Sequence, residues 1–452
     1  MGNIEKVDSG IRSLGEDSQG LRRELNFVDA TAIVVGTIIG SAIFLIPSVI
    51  ASTVVSVPII FMVWIAGGIL TLCGALSIAE LGSAYPDAGG LYVYLGKAYG
   101  PLLSFLYGWG LLTTIHSGSI AALAVGFGIY FGHLFALGVV GQRAAAVACI
   151  ALLTALNCLG VRLGKFAQNT LTAVKVGGIG AMIVMLFAYG TKTDLFHASF
   201  SRHSPPLVSI GAALVAILWA YEGWHVVSFA AGEMKSPQVD LPRSLAVGTA
   251  LIVTIYLFAN ASYYAVLTPR EVSSNPAVAA AAMGKSYGAP AAVFISVLIL
   301  VSVLGSMNGM VLTGPRVYYA MARDRLFFGV FGRTSTKYQS PTLALLVQGV
   351  WASFLSCSNS YQQLFTDVIF AAWLFYGLTV AGVIVLRRSQ PKLSRPYRVP
   401  GYPWVPLLFC MASAGIFFSS IVEFPARSAI GIALILTGIP LFLMFRHKSA
   451  NQ

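Results

Sequence analysis

Apolar residues in this chain neither recur at the spacing of one helix face nor alternate as in a strand. They run on for about 20 positions at a time and stop at short polar or Gly/Pro-rich stretches. A hydrocarbon core about 30 Å thick takes about 20 apolar residues per crossing helix. Twelve spans follow: 27–51, 57–80, 101–131, 143–161, 166–189, 207–231, 244–267, 291–322, 340–357, 362–386, 402–421 and 427–445. The expected fold is an all-α integral membrane protein of about 12 transmembrane helices. An even number puts both termini on one side.

Two spans depart from a plain apolar run. The first carries Gly36-Thr37-Ile38-Ile39-Gly40-Ser41-Ala42 at mid-depth, and the sixth carries Trp219-Ala220-Tyr221-Glu222-Gly223-Trp224. Backbone polar groups at membrane depth must be paired unless they line a cavity, so such a cluster is either a close helix contact or a break. Gly36 and Gly40 alone read as a G-x-x-x-G packing face. A second cluster five spans later changes the balance, because paired interruptions in corresponding halves point to an inverted-repeat transporter with its site near the midplane. The expected organisation is a cytoplasmic tail (1–26), a first repeat of five spans (27–190), a second (207–388), two appended spans (402–445) and a cytoplasmic tail (446–452).

Composition agrees with membrane burial: 57% of the 452 residues are hydrophobic and 10% are charged, against about 25% charged in soluble domains. The net charge of +12 comes from basic residues in short loops and not on an amphipathic helix or arm, so nucleic acid is not an expected partner. With the N-terminus in the cytoplasm, 21 of the 28 Lys and Arg fall in cytoplasmic segments, as the positive-inside rule requires. Residues 1–26 lack an apolar stretch, so the first span is expected to serve as the insertion signal. Cys73, Cys149, Cys158, Cys357 and Cys410 show no metal spacing and read as small core hydrophobes.

An interrupted membrane helix frees N–H groups at the start of one half and C=O groups at the end of the other. The first favour anions and the second cations. A zwitterion fits both, with its carboxylate on the amides of Gly40, Ser41 and Ala42 and its ammonium on the carbonyls of Trp219, Ala220 and Glu222. Trp219 could close over a bound molecule as a lid, or pack as most tryptophans do. Lys175 lies about ten residues into the fifth span, where a lysine costs about 2.5–3.5 kcal/mol to insert. It could carry a proton, act as a fixed cation, or snorkel to the cytoplasmic face. Glu222 is the lone carboxylate inside the sixth run and could accept a proton, pair with a cationic substrate or face a water cavity; His225 could join it. His116, His133, His197, His203, His225 and His447 show no ligand spacing, and neither a P-loop nor a Ser/His/Asp set is present. No enzyme activity, metal or cofactor is expected.

These stretches resemble the amino acid/polyamine/organocation transporter superfamily, and within it the L-type amino acid transporter group and its bacterial relatives. The likeness runs from Leu25 to about Pro406. Besides the two breaks it includes Asn157-Cys-Leu-Gly-Val-Arg162, Gln168 to Lys175, Gly232 to Arg243 and Arg395 to Pro403. It implies two inverted five-helix repeats and transport of amino acids by alternating access. The family's carboxylate-binding stretch falls on Ile38, Ile39, Gly40, Ser41 and Ala42, and its amino-binding stretch on Trp219, Ala220, Tyr221, Glu222 and Gly223. Its buried lysine falls on Lys175, where relatives of the same fold bind sodium, so the likeness implies Na⁺-independent exchange or proton-coupled symport of neutral L-amino acids. Ala42 stands where the family has glycine, Trp219 stands where the L-type group often has Phe and resembles the arginine and polyamine antiporters, and Glu222 adds a charge that many neutral amino acid exchangers lack, which keeps a cationic substrate as the alternative. A membrane sensor or channel is the competing class. Residues 132–142 hold no cysteine, so a disulfide-linked accessory subunit is not expected. Short external loops and the placement of Asn260-Ala-Ser262 inside a span fit a bacterial plasma membrane.

Overall fold

The computed structural model describes residues 21, 23–54, 56–190, 207–423 and 425–450. Most of the N-terminal tail, His197 and His203, and the last two residues lie outside them.

The first span is two helices, α1 (Phe27–Ile38) and α2 (Ala42–Thr53), and the second is one, α3 (Val57–Ala84). After the short α4 (Leu91–Tyr99), the third span comprises α5 (Pro101–Gly110), a π-turn over Leu111–Ile115 and α6 (His116–Leu134). The fourth and fifth are α7 (Val139–Cys158) and α8 (Val161–Tyr189). In the sixth, α9 (Leu207–Ala220) gives way to an irregular turn and a 3₁₀ segment, Val226–Glu233. The seventh is α10 (Pro237–Val266), followed by the short α11 (Pro269–Ser274) and α12 (Val278–Tyr287). The eighth is α13 (Ala289–Thr313), continued by α14 (Pro315–Arg323); α15 (Thr342–Ser358) and α16 (Tyr361–Ser389) are the ninth and tenth. The last two are α17 (Trp404–Glu423) and the pair α18 (Pro425–Leu436) and α19 (Gly438–Ala450).

The fold is all-α, and the spans fall where the hydropathy pattern puts them. Among the described residues ten helical runs are long and apolar enough to cross a membrane; α15 is shorter, and the Leu207–Glu233 run is interrupted. Three elements, α4, α11 and α12, lie in stretches that the pattern leaves as loops. Local chemistry sets the helix starts. Asn26 and Asp29 exchange two 3.0 Å bonds as a capping box before α1, and Ser360 with Gln363 does the same before α16. Proline stands at the first or second position of α3, α5, α10 and α13, where its missing N–H costs nothing. Cys357, expected in the core, is exposed on α15.

The interrupted first span sits at the centre. The α1–α2 run is 89% buried over its most apolar window, whereas α7, α8 and α17 are each 28% buried and turn most of their surface outward. Close approach of α13 to α1 depends on Gly309, where an added Cβ would lie 2.2 Å from Thr37 Cγ2. Thr37 cannot easily yield, because its hydroxyl is bonded to Ile33 O and Gly223 O. Gly309→Ala is therefore expected to destabilise the protein by about 1–3 kcal/mol through overpacking, read as a lower unfolding temperature in detergent.

Candidate functional site

Helix α1 ends where Ile39 leaves helical geometry (φ −73°, ψ 89°), and α2 restarts after Ser41, whose side chain makes no capping bond. The first N–H groups of α2 have no intrahelical partners by construction. They form a positive terminus at the centre of the protein beside Ser41 and Ala42; of the three predicted amides, Gly40 N–H already donates to Ile38 O at 2.8 Å.

The carbonyl side of this break is heavily bonded. Ile39 O accepts from Lys175 Nζ at 2.8 Å, Ser302 Oγ at 3.0 Å and Ser306 Oγ at 2.7 Å. Gly36 O accepts from Lys175 Nζ and from Ser306 Oγ. Lys175 also donates to Ser302 O at 3.2 Å and is 0% exposed, which excludes the snorkelling alternative. Its three acceptors match the three hydrogens of an ammonium; a neutral amine would turn a lone pair toward a carbonyl. Lys175 thus ties α8 to the end of α1 and to α13.

The second break turns on Gly223. Its φ of +106° suits glycine, and a Cβ there would lie 3.2 Å from the Thr37 backbone carbon, so α1 and the turn touch through this residue. The turn carbonyls are engaged: Trp219 O accepts from Glu222 N at 3.0 Å, and Ala220 O accepts from Tyr256 Oη at 3.1 Å. Each keeps a second lone pair.

Three side chains join the two breaks. Thr37 Oγ1 donates to Gly223 O at 3.1 Å. The Tyr256 hydroxyl on α10 is shared between Ile38 O at 3.0 Å and Ala220 O. Tyr361, the first residue of α16, accepts from Trp219 Nε1 at 3.0 Å and reaches Ser41 Oγ at 3.1 Å. Trp219 is buried and stacks on Phe365, ring centres 5.8 Å apart. The predicted lid is thus held by α16 against the first break. Tyr361→Phe deletes both hydroxyl bonds at about 1 kcal/mol each, so we expect apparent substrate affinity to fall about fivefold to thirtyfold while the protein still folds.

Glu222 lies just past Trp219. Its Oε1 accepts from Tyr376 Oη at 2.5 Å, and the same phenol oxygen is 3.1 Å from His225 Nε2. Tyr221, by contrast, turns away into an aromatic cluster with Trp64 and Tyr256 and donates to Trp64 O at 3.3 Å.

The face carrying Leu25 is closed by polar contacts. Glu233 and Arg316, both buried, pair at 2.7 Å, and Glu80 receives Arg387 at 2.6 Å and Arg395 at 3.4 Å. Leu25 bridges to Met234, and the N–H groups of Glu24 and Leu25 both donate to Glu233 O. Tyr92 on α4 donates to Asp324 Oδ2 at 2.8 Å. Asp29 is held by Lys165 and Asn169.

The structure therefore brings the two predicted stretches together, with Lys175 behind the first and Trp219 over both. Sequence reasoning placed Thr37 in the first break without giving it a role, and missed Tyr256, Ser302, Ser306, Tyr361 and Tyr376. Serines four residues apart on α13 were the one available signal, since that spacing puts two hydroxyls on one helix face.

A family model for amino acid permeases matches residues 25–445. The human b(0,+)-type amino acid transporter 1 is 32% identical over 97% of this chain and 93% of its own length. The serine/threonine exchanger SteT of Bacillus subtilis is 31% identical over 96% of this chain and 99% of its own. The mouse large neutral amino acids transporter small subunit 2 is 31% identical over 96% and 84%. These likenesses span the two breaks, Lys175 and the α16 contacts alike, and the chain belongs to the amino acid permease family of multi-pass membrane transporters.

Proposed function

We propose that this transporter exchanges neutral L-amino acids without sodium, by alternating access around the two breaks. The observation that carries the reading is Lys175: its ammonium binds two backbone carbonyls at the end of α1 and a third on α13, and supplies a permanent positive charge where a coupling cation would otherwise sit. With that charge fixed, no sodium is needed to stabilise the first break, and substrate itself drives the return step.

The substrate carboxylate lies on the N–H groups of Ser41 and Ala42 and on that of Gly40, which exchanges its bond to Ile38 O for the substrate, and the ammonium on the remaining lone pairs of the Trp219–Gly223 turn. Ile38 and Ile39 belong to the first stretch, Trp219 is the gate, and Tyr361 latches it. The two halves of the site come from two five-span repeats, 27–190 and 207–388. The positive-inside count puts the face with Leu25, and both termini, in the cytoplasm of a bacterial cell with the protein in its plasma membrane. It works without a disulfide-linked accessory subunit.

Counterflow in proteoliposomes tests this. Labelled leucine, alanine, serine, arginine and putrescine should separate, with neutral amino acids accelerated by neutral amino acids inside and unaffected by replacing Na⁺ with choline. Activity confined to arginine or putrescine would sink the neutral reading, and an absolute Na⁺ requirement would remove the role given to Lys175.

A further inference from the structure

Among the described residues, Glu222, Tyr376 and His225 form a buried titratable cluster that the exchange mechanism leaves unused. Glu222 is 5% exposed, and His225 and Tyr376 are more deeply buried still. The hydrogens of the cluster can be assigned. A phenol has one, and at 2.5 Å from a carboxylate oxygen Tyr376 donates it to Glu222 Oε1. The 3.1 Å contact to His225 then needs Nε2–H as donor, which leaves Nδ1 bare in a neutral ring. Glu222 Oε2 and His225 Nδ1 have no hydrogen-bond partner, and Nδ1 lies 3.9 Å from Oε1.

A carboxylate at this depth with an unpartnered oxygen is costly unless a cation or a proton neutralises it. Cations are spoken for nearby: Arg316 is paired with Glu233, Lys175 is bound to carbonyls, and Arg387 and Arg395 hold Glu80. The other titratable groups facing the cluster carry no charge to offer. They are Tyr107 on α5, His116 on α6, whose Nε2 donates to Met310 O at 2.7 Å, and Tyr318 on α14. Of the neighbouring helices, α3 carries Cys73 and Glu80, the latter neutralised by Arg387 and Arg395, and α17 carries Cys410.

We infer that Glu222, Tyr376 and His225 form a proton-binding site on the cytoplasmic side of the second break, and that it must hold one extra proton for the transporter to close. The proton comes from water when the cytoplasmic face opens. It rests on Glu222 Oε2 as a carboxylic acid, while Tyr376 donates to Oε1 and His225 Nε2 donates to the phenol oxygen, so the closed protein buries no bare charge. On reopening, the proton returns to water. Because it enters and leaves on the same side, exchange carries no net proton flux but runs faster at acid pH.

The proton site rests on the alternating-access reading and its orientation, and two measurements let the two fail separately. Infrared difference spectra of the purified protein between about pH 5.5 and about pH 8, the range in which histidine-linked sites titrate, should show a protonated-carboxyl stretch that E222Q lacks. Alanine counterflow should be at least about threefold faster at the acid end in wild type, while E222Q flattens this ratio whatever its absolute rate and H225N shifts the midpoint. An E222Q profile parallel to wild type, or spectra without a Glu222 band, overturns the proposal. So does an E222Q protein that loses arginine uptake alone, because Glu222 then serves a substrate cation. If wild type shows no counterflow at any pH, the transport reading falls and the infrared band alone decides the proton site.

Discussion

Lys175→Ala is expected to cut amino acid exchange by about tenfold to a hundredfold with a modest effect on folding. A hydrogen bond to a charged group contributes about 1.5–3 kcal/mol, and each 1.4 kcal/mol is tenfold in a rate or affinity. Lys175 makes three such bonds, but Ser302 and Ser306 still reach Gly36 O and Ile39 O without it, so the loss is nearer one bond than three. Lys175→Met, which keeps length and packing, should fail to the same degree. That separates charge from volume. Lys175→Arg should fail as well, since Gly305 approaches so closely that an added Cβ there would lie 2.8 Å from Nζ, leaving no room for a guanidinium. Counterflow close to wild type in Lys175→Ala would remove the lysine from the mechanism.

The reach of sequence reasoning follows from the distances over which each signal acts. A membrane span is announced by its own composition, so the crossing segments were legible. The two breaks were legible for the same reason: Gly36 to Ala42 and Trp219 to Gly223 place polar and small residues where hydrocarbon tolerates few. Lys175 showed itself by the cost of a charge at depth. The partners of these groups did not. Tyr361 is 320 positions from Ser41, and Tyr376 is 154 from Glu222. A tyrosine in an apolar helix looks like packing until its hydroxyl is seen to have a target. Tyr256 illustrates this most plainly, since the ring belongs to an aromatic cluster while its oxygen spans both breaks. The helices α4, α11 and α12 were missed because they are too short to carry a hydropathy signal. The capping box of Thr268 and Glu271 before α11 was present in the sequence, but a box without an apolar run behind it predicts little.

Breaking the Glu233–Arg316 pair should have the largest effect on stability. Both side chains are 1% exposed, and removing one partner of a buried pair leaves the other charge uncompensated at a cost of about 3–5 kcal/mol. Arg316→Ala is therefore expected to lower the unfolding temperature by several degrees. It should also weaken closure of the face that carries Leu25, because Glu233 O anchors the N–H groups of Glu24 and Leu25 through the same residue. Glu233→Leu combined with Arg316→Met tests why the pair is charged at all. Well-packed apolar replacements of a buried pair are often neutral or stabilising, so the double variant should regain the lost unfolding temperature. Exchange should nevertheless stay slow. An ion pair can be rehydrated when the face opens, which lowers the cost of opening, whereas a Leu–Met contact exposes apolar surface at each turnover and holds the protein shut. The decisive comparison is thus between two readouts on one protein: recovered melting with slow counterflow identifies the pair as the latch of the Leu25 face, and recovery of both would reduce it to a structural contact.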